Sequence, residues 1–521
     1  MQGKKDFIPK LMYQVHLGDL VPQNNFYRLL GRELNLHFLY KSTQAYYGDE
    51  GQESIDPVVF FKICLVGYLN NINSDRKLIE YCSNCLDIRL FLRYDIDEAL
   101  PWHSTISRTR GLYGEDVFLS LFRKILSLCV EKGMVSGKRQ AVDSAFIKAN
   151  ASLDSLVEKE VLEDAAAYAE ELNENSEYKV TAEKKKQVEQ HHDWKQRTRK
   201  DTPGYDYKDG KVGNSGEFIQ SRLLSNYTHY SPTDPDARIA TKPGKPRNMN
   251  YLGHLSVDTS HHVITGACAD FASKKDSQCL EKICDLTIEN LKANYIELNQ
   301  ILADTAYSSG AALKYLEENH IDAYIPNFGQ YKPEREGFIY NTKLDQYECQ
   351  RGNKAILPFK GIRKRHDGYE NKQYLSLESV CKTCIHKAEC CGEKTKFKKL
   401  SHSVHKDYYD RMHKKLTEKK AYAQRMSRLR SSTVEPVLGT LINFLNMKRV
   451  NTRGIKLANK HVLMAALTYN LKKYLKFVNK KVVSKAIAMK TGVQTAFLSY
   501  FFVSRLIFGR SKPSLFYTKN L

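Results

Sequence analysis

Gln140-Ala141-Val142-Asp143-Ser144-Ala145-Phe146-Ile147 is a short run with β-branched and aromatic residues, entered through Gly137. It reads as a β-strand, and it ends the helical periodicity of the residues before it. Asp143 stands mid-run beside the apolar Val142 and Phe146. A carboxylate so placed faces a buried or half-buried surface, and an ionised group there needs a partner.

Working outward toward the C-terminus, residues from about Ser155 to Arg199 are rich in Glu, Lys and Ala, which predicts an exposed helical excursion. Strand chemistry returns at Tyr251 to Gly266, where the turn-like Asp258-Thr259-Ser260-His261 makes a β-hairpin the natural reading. Asp276 to Leu291 has the spacing of an amphipathic helix, and Tyr295 to Ala303 reads as a strand ending at Asp304. Ser308 and Ser309 open a helix over Ala311 to Asn319, and Asp322 to Pro326 is a further short strand. This alternation predicts an α/β fold. Residues 328–400 interrupt it, being rich in Lys, Gly and Cys with few apolar runs, and read as irregular. Helix resumes at Ser432 and again, strongly basic, through Leu457 to Phe477.

Working outward toward the N-terminus, Asp56 to Gly133 is helical. Asp56-Pro57 supplies an N-cap and a first-turn proline, with Val58, Phe61, Ile63, Leu65 and Leu69 as the apolar face. A second helix follows Ser74. After Pro101-Trp102, Ser104 is a candidate cap for a short helix carrying Arg108 and Arg110, and Val117 to Val130 is amphipathic. That short helix resembles a DNA-reading element, against the plainer reading of surface arginines on packed helices. The expected segments are 1–135, helical; 136–327, α/β with a polar insert at 153–200; 328–400, a cysteine-bearing insert; and 401–521, helical and carrying Glu435.

The chain's 521 residues exceed what a single core comfortably organises. With 42% hydrophobic and 27% charged residues it is globular in composition, not fibrous or disordered. Its 81 Lys+Arg outnumber 59 Asp+Glu, for a net charge of +22, which favours a polyanionic partner, nucleic acid first. The N-terminus lacks the apolar core of a signal peptide, and the longest apolar run, Ala496 to Val503, is too short to span a bilayer. Twelve cysteines without an export signal suit reduced thiols or metal ligands, so the expected compartment is the cytosol, with no membrane partner.

Two further carboxylates stand out. Asp304 ends a strand just before a turn and a helix, where open α/β sheets handle ligands. Glu435 lies in Ser432-Thr433-Val434-Glu435-Pro436, ahead of the apolar positions Val437, Leu438, Leu441, Phe444 and Leu445, so a helix can lay it against the sheet. Together with Asp143 they offer hard oxygen ligands suited to Mg²⁺ or Mn²⁺. Two such ions, about 3.5–4 Å apart, would serve an in-line phosphoryl transfer. Each residue has a plainer reading: a salt-bridged strand residue for Asp143, an Asx cap for Asp304, and a Ser432-x-x-Glu435 capping box for Glu435.

Taken in order, Pro101-Trp102-His103-Ser104-Thr105-Ile106-Ser107-Arg108, Val142-Asp143-Ser144, Tyr251-Leu252-Gly253-His254 with Asp258, Ala303-Asp304-Thr305-Ala306-Tyr307 and Thr433-Val434-Glu435-Pro436 with Gly439-Thr440 resemble the DDE transposases of bacterial insertion sequences. The resemblance covers most of the chain. It implies a ribonuclease-H-like mixed sheet flanked by helices, a helical N-terminal DNA-binding domain, metal ligation by Asp143, Asp304 and Glu435, and double-stranded DNA as partner, both terminal inverted repeats and target. A homo-oligomer on DNA is implied as well. Many relatives carry Y-x2-R-x3-E-x6-K around the Glu; here those positions hold Arg428, Ser431 and Ile442, leaving Arg430 and Lys448 as substitutes for gripping donor-end phosphates.

Cys381-x2-Cys384-x5-Cys390, with Cys391 adjacent and Cys349 upstream, falls in the insert. Cys349, Cys381, Cys384 and Cys390 would suit tetrahedral Zn²⁺, with His386 or Cys391 as substitutes; free thiols are the other reading. Cys82-x2-Cys85 reads as incidental thiols on a helix. Lys195 to Lys200, Lys242 to Arg247 and Lys396 to Lys399 are candidate phosphate contacts. The leading expectation is DNA strand cleavage and strand transfer; a catalytically inactive DNA-binding regulator and a ribonuclease-H-fold nuclease acting on RNA are the alternatives.

Overall fold

The computed structural model describes residues 16–48, 54–153, 155–158, 225–226, 229–241, 246–327, 329, 331–365, 368–392 and 394–479. Nearly all of the 153–200 insert, the basic run Lys195 to Lys200, most of Lys242 to Arg247 and the apolar run Ala496 to Val503 lie outside them. The chain divides into two units, the first ending at Asn470 and the second beginning at Leu471. Residues 471–479 of the second are helical.

The N-terminal part is a helical bundle: α1 (Leu17–Leu20), α2 (Phe26–Glu33), α3 (Phe38–Thr43), α4 (Pro57–Leu69), α5 (Asp75–Asn84), α6 (Leu86–Leu92), α7 (His103–Leu112) and α8 (Glu115–Glu131). Asp56 caps α4 by accepting from the N–H groups of Val58 and Val59, with Pro57 in the first turn. The helix is buried on every side from Phe60 to Gly67 instead of along one apolar face, and even Lys62 is enclosed, donating to Phe91 O at 2.6 Å. The second helix, α5, follows Ser74 as expected, and Ser74 is its N-cap. Ser104 does not cap α7: the helix starts one residue earlier, at His103, and Trp102 is the N-cap without a side-chain bond.

The α/β part is built on β1 (Arg139–Lys148), with β2 (Val157–Glu158), β3 (His229–Tyr230), β4 (Arg238–Ala240), β5 (Asn248–Asp258), β6 (Ile264–Phe271), β7 (Gln300–Leu302) and β8 (Asp322–Tyr324). β1 pairs antiparallel with β5 and parallel with β7; β5 and β6 form the expected hairpin; β7 and β8 run parallel. The order is β6-β5-β1-β7-β8, and β4 takes the start of β5's outer edge. Parallel neighbours need crossovers, supplied by α9 (Asp276–Lys292) before β7 and α10 (Gly310–Glu318) before β8. This is the ribonuclease-H-like mixed sheet flanked by helices. Val142, Leu280, Ile283, Ile301, Leu313 and Ile325 knit sheet and helices into one core.

One strand is shorter than its sequence suggests. Tyr295 adopts φ 58° and Ile296 N–H returns to Leu291 O at 3.0 Å, so these residues close the end of α9 and only Gln300–Leu302 joins the sheet.

Residues 328–400 are not irregular. They hold most of a five-stranded antiparallel sheet, β9 (Phe338–Asn341), β10 (Gln346–Cys349), β11 (Ile356–Lys364), β12 (Glu370–Leu375) and β13 (Lys399–Ser403), with short helices α11 (Glu378–Lys382) and α12 (Lys387–Cys391). Its small core is aromatic: Tyr347 and Tyr374 are buried with Leu357, and their rings meet edge to face at 5.0 Å. Tyrosines closing this core are invisible to a search for aliphatic runs.

After α13 (Lys406–Glu418), α14 (Lys420–Phe444) extends for 25 residues, and helix over 455–470 completes the first unit. Helix therefore begins before Ser432, with α13 and the first half of α14. Thr433, Val434, Val437, Leu438 and Leu441 of α14 are buried. No helix among the described residues is long and apolar enough to cross a membrane.

Candidate active site

The β1–β7 register pairs Ala141 with Leu302. Continued by two residues it sets Asp143 beside Asp304, where the chain leaves the sheet, and the two carboxylates influence each other electrostatically. Burial pushes the Asp143 carboxyl above its usual range. The Ser144 N–H, which donates to Oδ1 at 2.8 Å, and the Arg430 guanidinium oppose that push, while Asp304 adds to it.

Glu435 arrives from α14. The Arg430 side chain, 12% exposed, lies between the two elements: Nη1 donates to Asp143 Oδ2 at 2.8 Å and Nη2 to Glu435 Oε1 at 3.1 Å. Asp143 thus has Asp304 beside it and is joined to Glu435 through one guanidinium. Among the described residues, no three His, Cys, Asp or Glu side chains stand ready as a metal cage. The donor chemistry nonetheless suits a hard cation: three carboxylates, one in an environment that already requires a positive charge.

The plainer readings fare differently. Asp304 does cap the 3₁₀ turn Thr305–Tyr307, accepting from Ala306 N–H through Oδ1 at 3.0 Å. The capping box is excluded, because Glu435 sits deep inside α14 and the Ser432 hydroxyl donates back to Leu429 O. Pro436 follows Glu435 within the helix and has no N–H to bond Ser432 O, which loosens the turn carrying Glu435.

Beneath the carboxylates lies a polar layer that sequence reasoning did not assign. The Ser144 hydroxyl donates to Asp276 at 2.6 Å, and the fully buried Tyr307 hydroxyl meets His254 Nδ1 at 2.9 Å. Burial, with Asp276, Asp143 and Asp304 nearby, holds the Tyr307 phenol far above its ordinary pKa, so it remains a neutral hydrogen-bonding group. Both residues belong to motif segments quoted above; only the folded register shows them touching. Asp258 serves the fold instead, accepting from Gly137 N–H and the Gln140 side chain at the other end of β1.

The basic residues separate. Arg108, Arg428 and Lys448 are exposed. Arg428 lines a cleft of about 360 Å³ with Arg139 and Arg425. Arg110 is turned inward, in a two-point ion pair with Asp75 at 2.7 and 2.9 Å that locks α7 to α5, which withdraws it from the phosphate contacts expected of it. Cys82 is buried and Cys85 half-buried, both as free thiols.

A family model described as a transposase domain (DUF772) matches residues 15–112, covering the helical bundle through α7. One described as a transposase DDE domain matches residues 348–475, covering most of the insert sheet, Arg430 and Glu435. No curated protein and no solved structure matches the chain. Asp143 and Asp304 lie between the two matched segments and rest on the sheet's own geometry. With a transposase-domain match over the bundle before the ribonuclease-H-like sheet and a DDE-domain match over the helix that carries Glu435, the two family models together support a DDE transposase of an insertion sequence.

Proposed function

We propose that this transposase cleaves DNA at the terminal inverted repeats of an insertion sequence and joins the freed ends to target DNA, with Asp143, Asp304 and Glu435 as ligands for Mg²⁺ or Mn²⁺. The observation that carries this reading is the Arg430 bridge: two carboxylates from distant segments share one cation at a point where a third adjoins. Bound divalent ions would activate the attacking oxygen and stabilise the leaving one. In cleavage, water adds to phosphorus and the P–O3′ bond breaks, leaving a 3′-OH; in transfer that hydroxyl attacks a target phosphodiester and displaces its 3′ oxygen.

The chain's own residues orient this chemistry. Ser144 N–H fixes one oxygen of Asp143, and the Ala306 N–H fixes one oxygen of Asp304. The loosened turn before Pro436 lets Glu435 adjust its reach. Arg139, Arg425 and Arg428 line a basic cleft alongside α14 that suits donor-strand phosphates, and Arg108 and Lys448 are surface contacts for the duplex. We place the active form as a homo-oligomer on DNA.

The test is a duplex carrying the element's end, incubated with Mg²⁺ or Mn²⁺ and a target plasmid. Wild type nicks the end and transfers it; Asp143→Ala and Glu435→Gln bind but do neither. Equal nicking by wild type and Asp143→Ala would show that the assigned site is wrong.

A further inference from the structure

A cavity of about 200 Å³ opens beside the insert's sheet, and five of the chain's twelve cysteines line it: Cys349, Cys381, Cys384, Cys390 and Cys391. Cys349 ends β10, Cys381 lies in α11, Cys384 follows it, and Cys390 and Cys391 lie in α12. Residues more than thirty positions apart are thus brought to one lining, and all remain free thiols.

The surrounding packing holds these segments together. Asn353, in the turn after β10, donates to Val380 O at 2.8 Å and to the Thr383 hydroxyl at 3.0 Å, tying that turn to α11. Gly352 adopts φ 53°, and a Cβ there would stand 2.5 Å from Cys384 Sγ, so only glycine lets the turn lie over that thiol. Cys381 is buried against the aromatic core. Arg351, Lys387 and Lys398 share the cavity lining with Glu336 and Glu389, and Arg351 is paired with Glu336 at 2.7 Å.

We propose a structural Zn²⁺ site formed by Cys349, Cys381, Cys384 and Cys390, which share this lining; as the side chains stand no three of them surround a common point, and they close on the ion by turning. Four soft sulfur ligands with none left over for water are the donor set of closed, structural zinc centres. In the structure Cys381 Sγ is 2.9 Å from the Ser376 hydroxyl and Cys349 Sγ is 3.1 Å from Arg351 O, so closure around a cation turns these two side chains at the expense of two weak sulfur hydrogen bonds. Binding releases the four thiol protons and leaves a net charge of −2 on the centre, beside a lining in which Lys387 and Lys398 face Glu389 and Arg351 is paired with Glu336. The role is to clamp α11 and α12 to the end of β10, where the aromatic core stops.

The test is metal analysis of the full-length protein purified without added metal and after dialysis against ZnCl₂, with Co²⁺ substitution as a spectroscopic probe. The expected result is one zinc per chain, an intense thiolate-to-cobalt absorption, and loss of both in Cys384→Ser and Cys390→Ser. Cys384→His, which restores a zinc ligand, retains the metal with an unchanged circular dichroism spectrum, and so distinguishes lost ligation from misfolding. Cys85→Ser and Cys391→Ser retain it as well. Wild type that takes up no zinc, iron with acid-labile sulfide in its place, zinc retained by the Cys384→Ser/Cys390→Ser double variant, or zinc lost from Cys391→Ser would each overturn the assignment.

Discussion

Replacing Arg430 with glutamine probes the site without touching a proposed ligand. The guanidinium is 12% exposed and its main partner, Asp143, 17% exposed, so the pair lies between a surface bridge, worth about 0–1 kcal/mol, and a fully buried one, whose rupture costs about 3–5 kcal/mol. The second bond, to Glu435, involves a carboxylate that is 58% exposed and adds little. The expected cost in metal-free protein is therefore about 2 kcal/mol, chiefly from leaving the Asp143 charge uncompensated beside Asp304. A divalent cation supplies that missing charge. At a hundredfold excess over its dissociation constant it contributes about 2.7 kcal/mol to any state that binds it. Urea denaturation in EDTA and in Mn²⁺ reads both effects: Arg430→Gln is destabilised in EDTA and recovers most of the difference in Mn²⁺, while wild type gains less because its guanidinium must be displaced. A cost that is the same in EDTA and in Mn²⁺ would refute the idea that guanidinium and metal compete for one place.

Three further outcomes follow from the same structure. Arg110→Ala lowers stability by about 3 kcal/mol because Asp75 is left without its partner, whereas Arg108→Ala leaves denaturation unchanged and reduces the salt dependence of DNA binding by about one ion; the reverse pattern would reassign the two arginines. The insert sheet loses stability in acid in two steps. His402, which contacts Tyr347 and Tyr374, has its pKa lowered to about 4, by burial first and then by Lys406 and Lys372. The unfolded chain therefore binds a proton that the fold refuses as pH falls from about 6.5 to 4. Asp345 is held at about 2, because hydrogen bonds from Tyr340, Tyr374 and Lys372 outweigh burial, so its contribution is lost below about 4 as pH falls toward 2. Amide exchange over β10 to β13 follows both steps, and His402→Asn should abolish the first. Pro436→Ala restores a helix N–H and raises stability by about 1–3 kcal/mol, with slower cleavage if the loosened turn matters; unchanged stability and rate would remove that role.

Much of this arrangement is legible in the sequence, and the exceptions have physical causes. Asp56, Ser74 and Ser309 announce their helices because capping is local chemistry, settled within a few residues. The β5–β6 hairpin is equally local. By contrast, Tyr295 and Ile296 look like strand residues and instead close a helix end, an outcome decided by α9 before them. Ser432-x-x-Glu435 has the spacing of a cap and lies mid-helix, because buried residues on both sides of it carry α14 across the sheet. The insert hides its sheet because tyrosines and a histidine fill much of its core, with only a few scattered aliphatic residues such as Leu357. Of the site itself, the three carboxylates can be picked out from strand ends and motif order. The inward turn of Arg110 and the bridging position of Arg430 depend on contacts between residues 35 and 287 positions apart, and no local pattern encodes them.

Joint binding of divalent metal by Asp143, Asp304 and Glu435 can be seen by locating Mn²⁺ through its anomalous scattering in crystals of the intact protein. Manganese is expected to be ligated by oxygens of all three residues at about 2–2.2 Å, with the Arg430 guanidinium moved off Asp143. Manganese bound elsewhere, or Arg430 still joining Asp143 to Glu435 at saturating metal, would contradict it.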